Sequence, residues 1–398
     1  MGKSKKWIKP RHRIVRNVVF PFLYIFARIK YGFRPKRLPL KDIRQFLILY
    51  NHQTPFDQFF VGMTIRKPIY YLASEDIFSK GIISTMLRFL IAPIPIKKST
   101  GDVRAVMNCI KVAREGGTIA IAPEGNRTYS GKTEYINPSI SNLAKKLSLP
   151  IAFVKIEGGY GVQPRWSDSI RKGNVRTCVS RIIEPDEYKN LSPEELTKII
   201  RGELYVNEAN AEYVYKSKAP ASYLERAIYY CPKCGLSEFR SDKKTIKCQK
   251  CGLTAEYLPT TELKFSDPSV DFRFVNDWYE AQNAFVSSLD LSKFTETPMY
   301  KETADVYEVI VYKNKKLLSK KADISLYGDR IIIGENEYLF KDITAAAALG
   351  RNKVNFYHGG RVYQLKGEKS FNALKYVNIY YLSKNVDKEY ENGKFLGL

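Results

Sequence analysis

Ile43-RQFLILYNHQTPF-Asp57 decides the fold. Ile43 to Tyr50 is a short β-rich run, Asn51 to Phe56 forms the exit from it, and helical spacing sets in at Asp57. Outward from this junction, strand-like and helix-like runs alternate. Ile69 to Leu72 reads as a strand and residues 102–115 (DVRAVMNCIKVARE) have helical spacing. Gly116-Gly117 then lead into the strand Thr118 to Ala122. A helix over Ser139 to Leu147, the strand Pro150 to Ile156 and a late strand Val175 to Ile183 follow. Ser192-Pro193-Glu194-Glu195 is a helix start, with an N-cap Ser, Pro in the first turn and acids beside it. Such alternation predicts an α/β domain over residues 42–215, built on a mostly parallel sheet flanked by helices.

The chain has only three histidines, His12, His52 and His358. His52 emerges where a strand of the sheet ends and a helix begins, the edge at which ligands collect in α/β folds. From the first turn of that helix the Asp57 carboxylate can return to one imidazole nitrogen, fixing the tautomer and favouring the imidazolium formed during proton transfer. No Ser or Cys sits on a comparable elbow, so the pair is expected to activate a hydroxyl of the substrate itself. Taken alone, a His five residues before an Asp is a weak signal. A second cluster, Pro123-Glu124-Gly125-Asn126-Arg127-Thr128, opens from the end of the strand Thr118 to Ala122. Its Gly permits close backbone approach and its Arg presents a planar fork for phosphate oxygens. A surface ion pair between Glu124 and Arg127 is the alternative.

Asn51-His52-x-x-x-x-Asp57, followed some seventy residues later by Pro123-Glu124-Gly125-x-Arg127, resembles the glycerolipid acyltransferases, specifically the bacterial 1-acylglycerol-3-phosphate (lysophosphatidic acid) acyltransferases. The resemblance spans about residues 15–200. It implies that His52 is the general base toward a glycerol hydroxyl, that Asp57 orients it, and that Glu124, Gly125 and Arg127 bind the acyl acceptor and its phosphate. Lys98, in Ile94-Pro95-Ile96-Lys97-Lys98, takes the place of a family arginine that contacts phosphate. A lysine there is a point charge where the family has a bidentate fork. Thr54 stands where Ser is usual and Asn126 where Thr is frequent. The strand Pro150 to Ile156 resembles the family's last motif, the wall of an acyl tunnel, and periodicity reads it equally well as an ordinary core strand.

The net charge is +24, from 65 Lys and Arg against 41 Asp and Glu, which implies a polyanionic partner. Residues 1–41 contain 13 Lys or Arg and no acid, so more than half of the excess is local. Within them, only eleven uncharged residues separate Arg16 from Arg28, too few for a span that needs about 20. Residues 1–41 therefore read as a basic amphipathic segment in the headgroup layer of an anionic membrane; the alternative is a core helix with a solvated basic tail. No small-residue cleavage site follows, so the expected location is the cytoplasmic face of the membrane, peripheral and without a transmembrane span.

Cys231-Pro-Lys-Cys234 and Cys248-Gln-Lys-Cys251 are two knuckles thirteen residues apart, each followed by Gly. This is zinc-ribbon spacing over residues 222–258, four thiolates closing a tetrahedral shell with no open position, so a structural zinc ion is expected. A redox pair is the alternative. Cys109 and Cys178 read as small buried hydrophobes. Residues 259–300 form a helical connector, with one helix over residues 275–290. From residue 301 to 398 short strands (VYEVIVYK, ADISLYGD, RIIIGEN, EYLFKDI, KVNFYHGG, RVYQLKG) precede a helix over Ser370 to Ser383. They resemble a pleckstrin-homology-like domain, a small all-β unit closed by a C-terminal helix, with a structural role or with partner docking or lipid sensing as its use.

The reading is an enzyme that moves a fatty acyl group from acyl-CoA or acyl carrier protein to the sn-2 hydroxyl of a lysophospholipid, 1-acylglycerol 3-phosphate, giving phosphatidic acid. No catalytic cofactor is called for. Glycerol 3-phosphate or another lysolipid is the alternative acceptor. A non-catalytic zinc-ribbon adaptor for nucleic acid or membrane is the alternative of another class. The charge map opposes nucleic acid, because the basic excess lies beside an apolar segment.

Overall fold

The computed structural model describes residues 6–97 and 102–385. They form two compact units. The first takes in the described residues up to Thr128 together with Lys132–Val162 and Lys172–Glu208; the second takes in Tyr129–Gly131, Gln163–Arg171 and the described residues from Ala209 onward.

In the first unit α1 (Pro10–Tyr31) leads through β1 (Arg34–Pro35) to β2 (Leu47–Tyr50), α2 (Asp57–Ile65), β3 (Ile69–Ser74), α3 (Ile82–Leu90) and β4 (Ile94–Ile96). Then come α4 (Val103–Arg114), β5 (Thr118–Ile121), α5 (Ser139–Leu147), β6 (Ile151–Glu157), the four-residue α6 (Gly159–Val162), β7 (Arg176–Ile183), the four-residue α7 (Pro185–Tyr188) and α8 (Pro193–Leu204). The strands make one sheet in the order β1-β7-β6-β2-β5-β3-β4. Only the β6–β7 pair is antiparallel. Central strands of a parallel sheet are covered on both faces, and β2 and β5 are buried at every residue. Cys109, Val112, Ile140, Ala144, Leu196 and Ile200, from α4, α5 and α8, bury one face. The expected start of α8 is a capping box: Ser192 Oγ accepts from the Glu195 N–H at 3.1 Å, and Glu195 Oε2 accepts from the Ser192 N–H at 2.6 Å.

α1 packs against α2. Gly62 of α2 lies beneath Phe20 of α1, where an added Cβ would sit 2.6 Å from the ring. Overpacking of this kind typically costs about 1–3 kcal/mol, so Gly62→Ala should melt several degrees below the parent. Adding Phe20→Leu should recover most of the loss, and a Gly62→Ala protein that melts with the parent would refute the close approach. α3 was not expected from the sequence. Among the described residues no helix is long and apolar enough to cross a membrane.

In the second unit β8 (Tyr230–Cys231) and β9 (Gly235–Leu236) form a hairpin. β10 (Phe239–Ser241), β11 (Thr245–Cys248), β12 (Thr254–Tyr257) and β13 (Leu263–Phe265) form an antiparallel sheet. α9 (Val275–Ser287) places Trp278 among Phe239, Phe265 and Phe272, with its indole N–H donating to Tyr230 O at 2.8 Å. Seven antiparallel strands follow: β14 (Tyr300–Glu308), β15 (Lys316–Leu326), β16 (Arg330–Ile333), β17 (Asn336–Leu339), β18 (Ile343–Leu349), β19 (Lys353–His358) and β20 (Arg361–Gly367). Their order, β17-β16-β15-β14-β20-β19-β18, is that of an all-β half-barrel, and α10 (Ala373–Asn385) packs on β18 and β19.

The strands differ from the sequence reading in their limits and in number. β14 begins at Tyr300 and ends at Glu308, and β15 takes in the lysine-rich Lys316 to Lys321. β18 is built from ITAAAAL, whose alanines prefer helix. Tertiary pairing overrides that preference: β18 hydrogen-bonds to β19, and Tyr380 and Tyr381 of α10 donate to its carbonyls at Ile343 and Ala346, at 2.9 and 3.1 Å.

Candidate functional site

β2 and β5 lie side by side and parallel, so both sequence clusters leave the same edge of the sheet. At the end of β2, Asn51 continues the strand with its side chain. Its amide donates to Ile156 O and accepts from the Ile156 N–H, both at 2.8 Å. The next residue, His52, is thereby held at the mouth of the edge with 22% of its side chain exposed.

His52 Nδ1 lies 2.8 Å from Asp57 Oδ2, and the Asp57 side chain is fully buried. That carboxylate opens α2 and is pinned on every side: Oδ2 accepts from the Gln53 N–H at 2.6 Å and from the Thr54 N–H at 2.9 Å, and Oδ1 accepts from the Thr54 hydroxyl at 2.6 Å. An acid at a helix N-terminus is favoured by the exposed N–H groups there. Nδ1 is thus turned toward the Asp57 carboxylate, which fixes the orientation of the ring.

Glu124 is buried, and its two oxygens serve the backbone. Oε1 accepts from the His52 N–H at 2.7 Å and Oε2 from the Glu134 N–H at 2.8 Å. His52 O in turn accepts from the Thr128 N–H at 3.0 Å, so the loop that carries Arg127 is laced to the histidine from both sides. Burial lifts the Glu124 carboxyl well above the ordinary range, against the opposing pull of the two N–H groups. Gly125 has a φ of +69° with open space where a Cβ would stand, so the loop requires Gly for backbone conformation. Arg127 is half-buried beside it. Lys98 lies outside the described residues.

Several supporting residues carried no sequence signal. Gln53 accepts from the Gly159 N–H at 2.9 Å and donates to Glu208 Oε1 at 3.1 Å, which also accepts from the Gly158 N–H at 2.6 Å. Glu208 is 155 residues from Gln53, so only the fold reveals the pair. Burial raises its pKa from 4.5 to about 7, with the Gly158 N–H and the Gln53 amide pulling the other way. The folded chain thus holds this proton more tightly than the unfolded chain, and the associated stability is complete below the unfolded value and lost as the pH rises through about 7. Glu208→Gln should flatten the fall in melting temperature across that window; an unchanged slope would assign it to another group. Phe56, between His52 and Asp57, packs its ring on Tyr31 and Phe26 of α1, at centroid distances of 5.3 and 5.6 Å.

In the second unit Cys231, Cys234, Cys248 and Cys251 bring their sulfurs within 4.8 Å of one another, with Cys231 and Cys251 at 3.6 Å. Gly235 and Gly252, each following a knuckle, have φ of 72° and 78°, the left-handed turn that lets each sulfur pair face inward. Four sulfurs about 2.3 Å from one ion stand just under about 4 Å apart, so this donor set can hold a metal ion.

Residues 36–157 match the family model described as Acyltransferase. The 1-acyl-sn-glycerol-3-phosphate acyltransferase LPAT1 (chloroplastic) of Arabidopsis thaliana is 22% identical over 151 residues, 37% of this chain and 42% of that protein. The chloroplastic enzyme BAT2 of Brassica napus, of the same description, is 20% identical over 151 residues, 37% of this chain and 44% of its own. The alignments thus span less than half the length of these curated relatives. The crystal structure of the 1-acyl-sn-glycerophosphate acyltransferase PlsC from Thermotoga maritima aligns with a TM-score of 0.40 and 20% identity, covering 48% of this chain and 75% of that one. The chain resembles the lysophosphatidic acid acyltransferases in its α/β unit.

Proposed function

We propose, taking the acyltransferase match over residues 36–157 as the premise, that this chain transfers an acyl group from an acyl thioester to the free sn-2 hydroxyl of 1-acylglycerol 3-phosphate, giving phosphatidic acid. The observation that carries the reading is the His52–Asp57 pair, 2.8 Å apart at the edge where the Glu124–Thr128 loop also emerges. His52 Nε2 takes the hydroxyl proton as the alcohol oxygen attacks the thioester carbonyl. The tetrahedral intermediate expels the thiolate, which recovers the proton from the imidazolium, so an ester and a free thiol result and the imidazole is restored. Asp57 steadies the imidazolium. Arg127, with Lys98, receives the acceptor phosphate. Glu124 acts through the backbone of His52, a positioning role in place of the acceptor contact that the resemblance implies.

α1 is read as the interfacial element that brings this site to amphiphilic substrates: it is long and basic, with Phe22 and Ile29 more than 70% exposed. The reaction is tested with purified protein, acyl-CoA or acyl-loaded carrier protein, and lysophosphatidic acid, glycerol 3-phosphate or an uncharged lysolipid as acceptor, with mass spectrometry of the lipid. Phosphatidic acid formed only with lysophosphatidic acid supports the assignment. Product from glycerol 3-phosphate alone reassigns the acceptor, and no product from any pair removes the reading.

The cysteine site is read as a structural zinc ribbon, and the half-barrel with α10 as pleckstrin-homology-like. Purified protein should contain one zinc per chain, and Cys248→Ser should abolish it and unfold residues 222–258 to limited proteolysis. A metal-free protein as resistant as the parent would leave the cysteines as a reduced cluster without a structural ion.

A further inference from the structure

We infer that α3 is a second lipid-facing leg, and that α1 and α3 dock together on an anionic bilayer; this rests on reading α1 as the interfacial element. α3 has an exposed apolar face. Ile82, Ile83, Met86 and Phe89 share one side of the helix, with exposures from 55% to 79%, while Ser84 on the opposite side is buried. Ser84 Oγ donates to Ile77 O and accepts from the Lys80 N–H, both at 2.8 Å, which sets the rotation of the helix. α1 is divided in the same way. His12, Ala27 and Tyr31 face inward, and Ile14, Val18, Phe22, Ile25 and Ile29 form an exposed stripe on the other side.

The two helices are joined. Arg11 of α1 donates from Nε to Phe89 O at 2.7 Å and lays its guanidinium 3.9 Å from the centre of the Phe89 ring. Just before α1, the Trp7 indole N–H donates to Ala92 O at 2.9 Å, beyond the end of α3. Two amphipathic helices tied at one end thus expose apolar stripes that were separated by more than fifty residues of sequence. Large exposed apolar surface of this kind marks an interaction site.

Charge chooses the occupant. Residues 1–41 and residues 77–101 contain no acid, while Arg13, Arg28, Lys30, Lys80 and Arg88 flank the stripes. A second copy of this surface would bring cations against cations with no carboxylate to pair them. Anionic headgroups complement them, each basic residue near such a surface adding to the attraction. α3 is also too short to span, which leaves a helix lying in the interface.

The test is co-sedimentation of the full chain with vesicles of phosphatidylglycerol and phosphatidylcholine, comparing Ile83→Asp/Phe89→Asp, Phe22→Asp/Ile29→Asp and the parent, with thermal melting to certify the fold. Each double variant should bind at least about tenfold more weakly. Transfer between monomeric short-chain substrates should be unchanged. Full binding by the α3 variant alongside loss by the α1 variant overturns this inference and leaves the proposed function standing. Full binding by both overturns the anchoring role of α1 as well. A parent dimer that the α3 variant converts to a monomer, with vesicle binding intact, assigns the face to a second copy and overturns the inference. Met86→Trp supplies an independent reading: its emission should shift to the blue with anionic vesicles, and an unmoved spectrum counts against docking. Absence of acyl transfer in a parent that binds vesicles normally refutes the catalytic reading alone.

Discussion

His52→Ala is expected to lower acyl transfer by at least about 10²- to 10⁴-fold, the range that general-base catalysis contributes, while the melting temperature stays close to that of the parent. The fold should survive because the side chain is partly exposed and stands at the edge of the sheet, outside its core. The backbone N–H and carbonyl of residue 52, which tie the site together, remain in the variant. Asp57→Asn separates the two parts of the argument. The amide can still accept from the Gln53 or Thr54 N–H, but it removes the charge that favours the imidazolium. Acyl transfer should then fall although the imidazole is still present. A His52→Ala enzyme that keeps half its activity would exclude the imidazole from the reaction.

Replacement of Glu124 is expected to produce the second largest loss, and in a different kinetic constant. Alanine leaves two partly buried N–H groups without this acceptor, each costing up to about 1–3 kcal/mol. It also frees the backbone of His52, where a misplacement near 1 Å is worth about 10²-fold in rate. Glutamine presents one oxygen and one N–H₂ to two donors, so it can satisfy only one of them. Both variants should therefore lose kcat with little change in the KM for the acceptor, and Arg127→Ala should do the reverse. A Glu124→Gln enzyme with a raised KM and an undiminished kcat would return this carboxylate to the acceptor phosphate.

The contrast between these residues explains what the amino-acid order disclosed. His52 and Asp57 are five residues apart across one strand-to-helix turn, so their pairing is a local matter and could be read from spacing. The role of Glu124 depends on which N–H groups lie opposite its oxygens after β2 and β5 have been set side by side. No residue type announces that. Glu208 is a stronger case, since its partners Gln53 and Gly158 arrive from two other segments. In the second unit, the alanines of β18 favour the wrong state until β19 and α10 cover them.

By itself the chain determined the α/β alternation, the pairing of His52 with Asp57, the basic excess near the start and the four-cysteine pattern, because each rests on periodicity, charge or contacts within a few residues. Only the tertiary structure decided that Glu124 and Thr128 grip the backbone of His52, that Glu208 lies buried behind Gln53, and that α3 stands beside α1 with its apolar side uncovered. Those features arise from backbone groups and faces brought together over long separations. Their energetics depend on burial and direction, which exist only once the chain has packed.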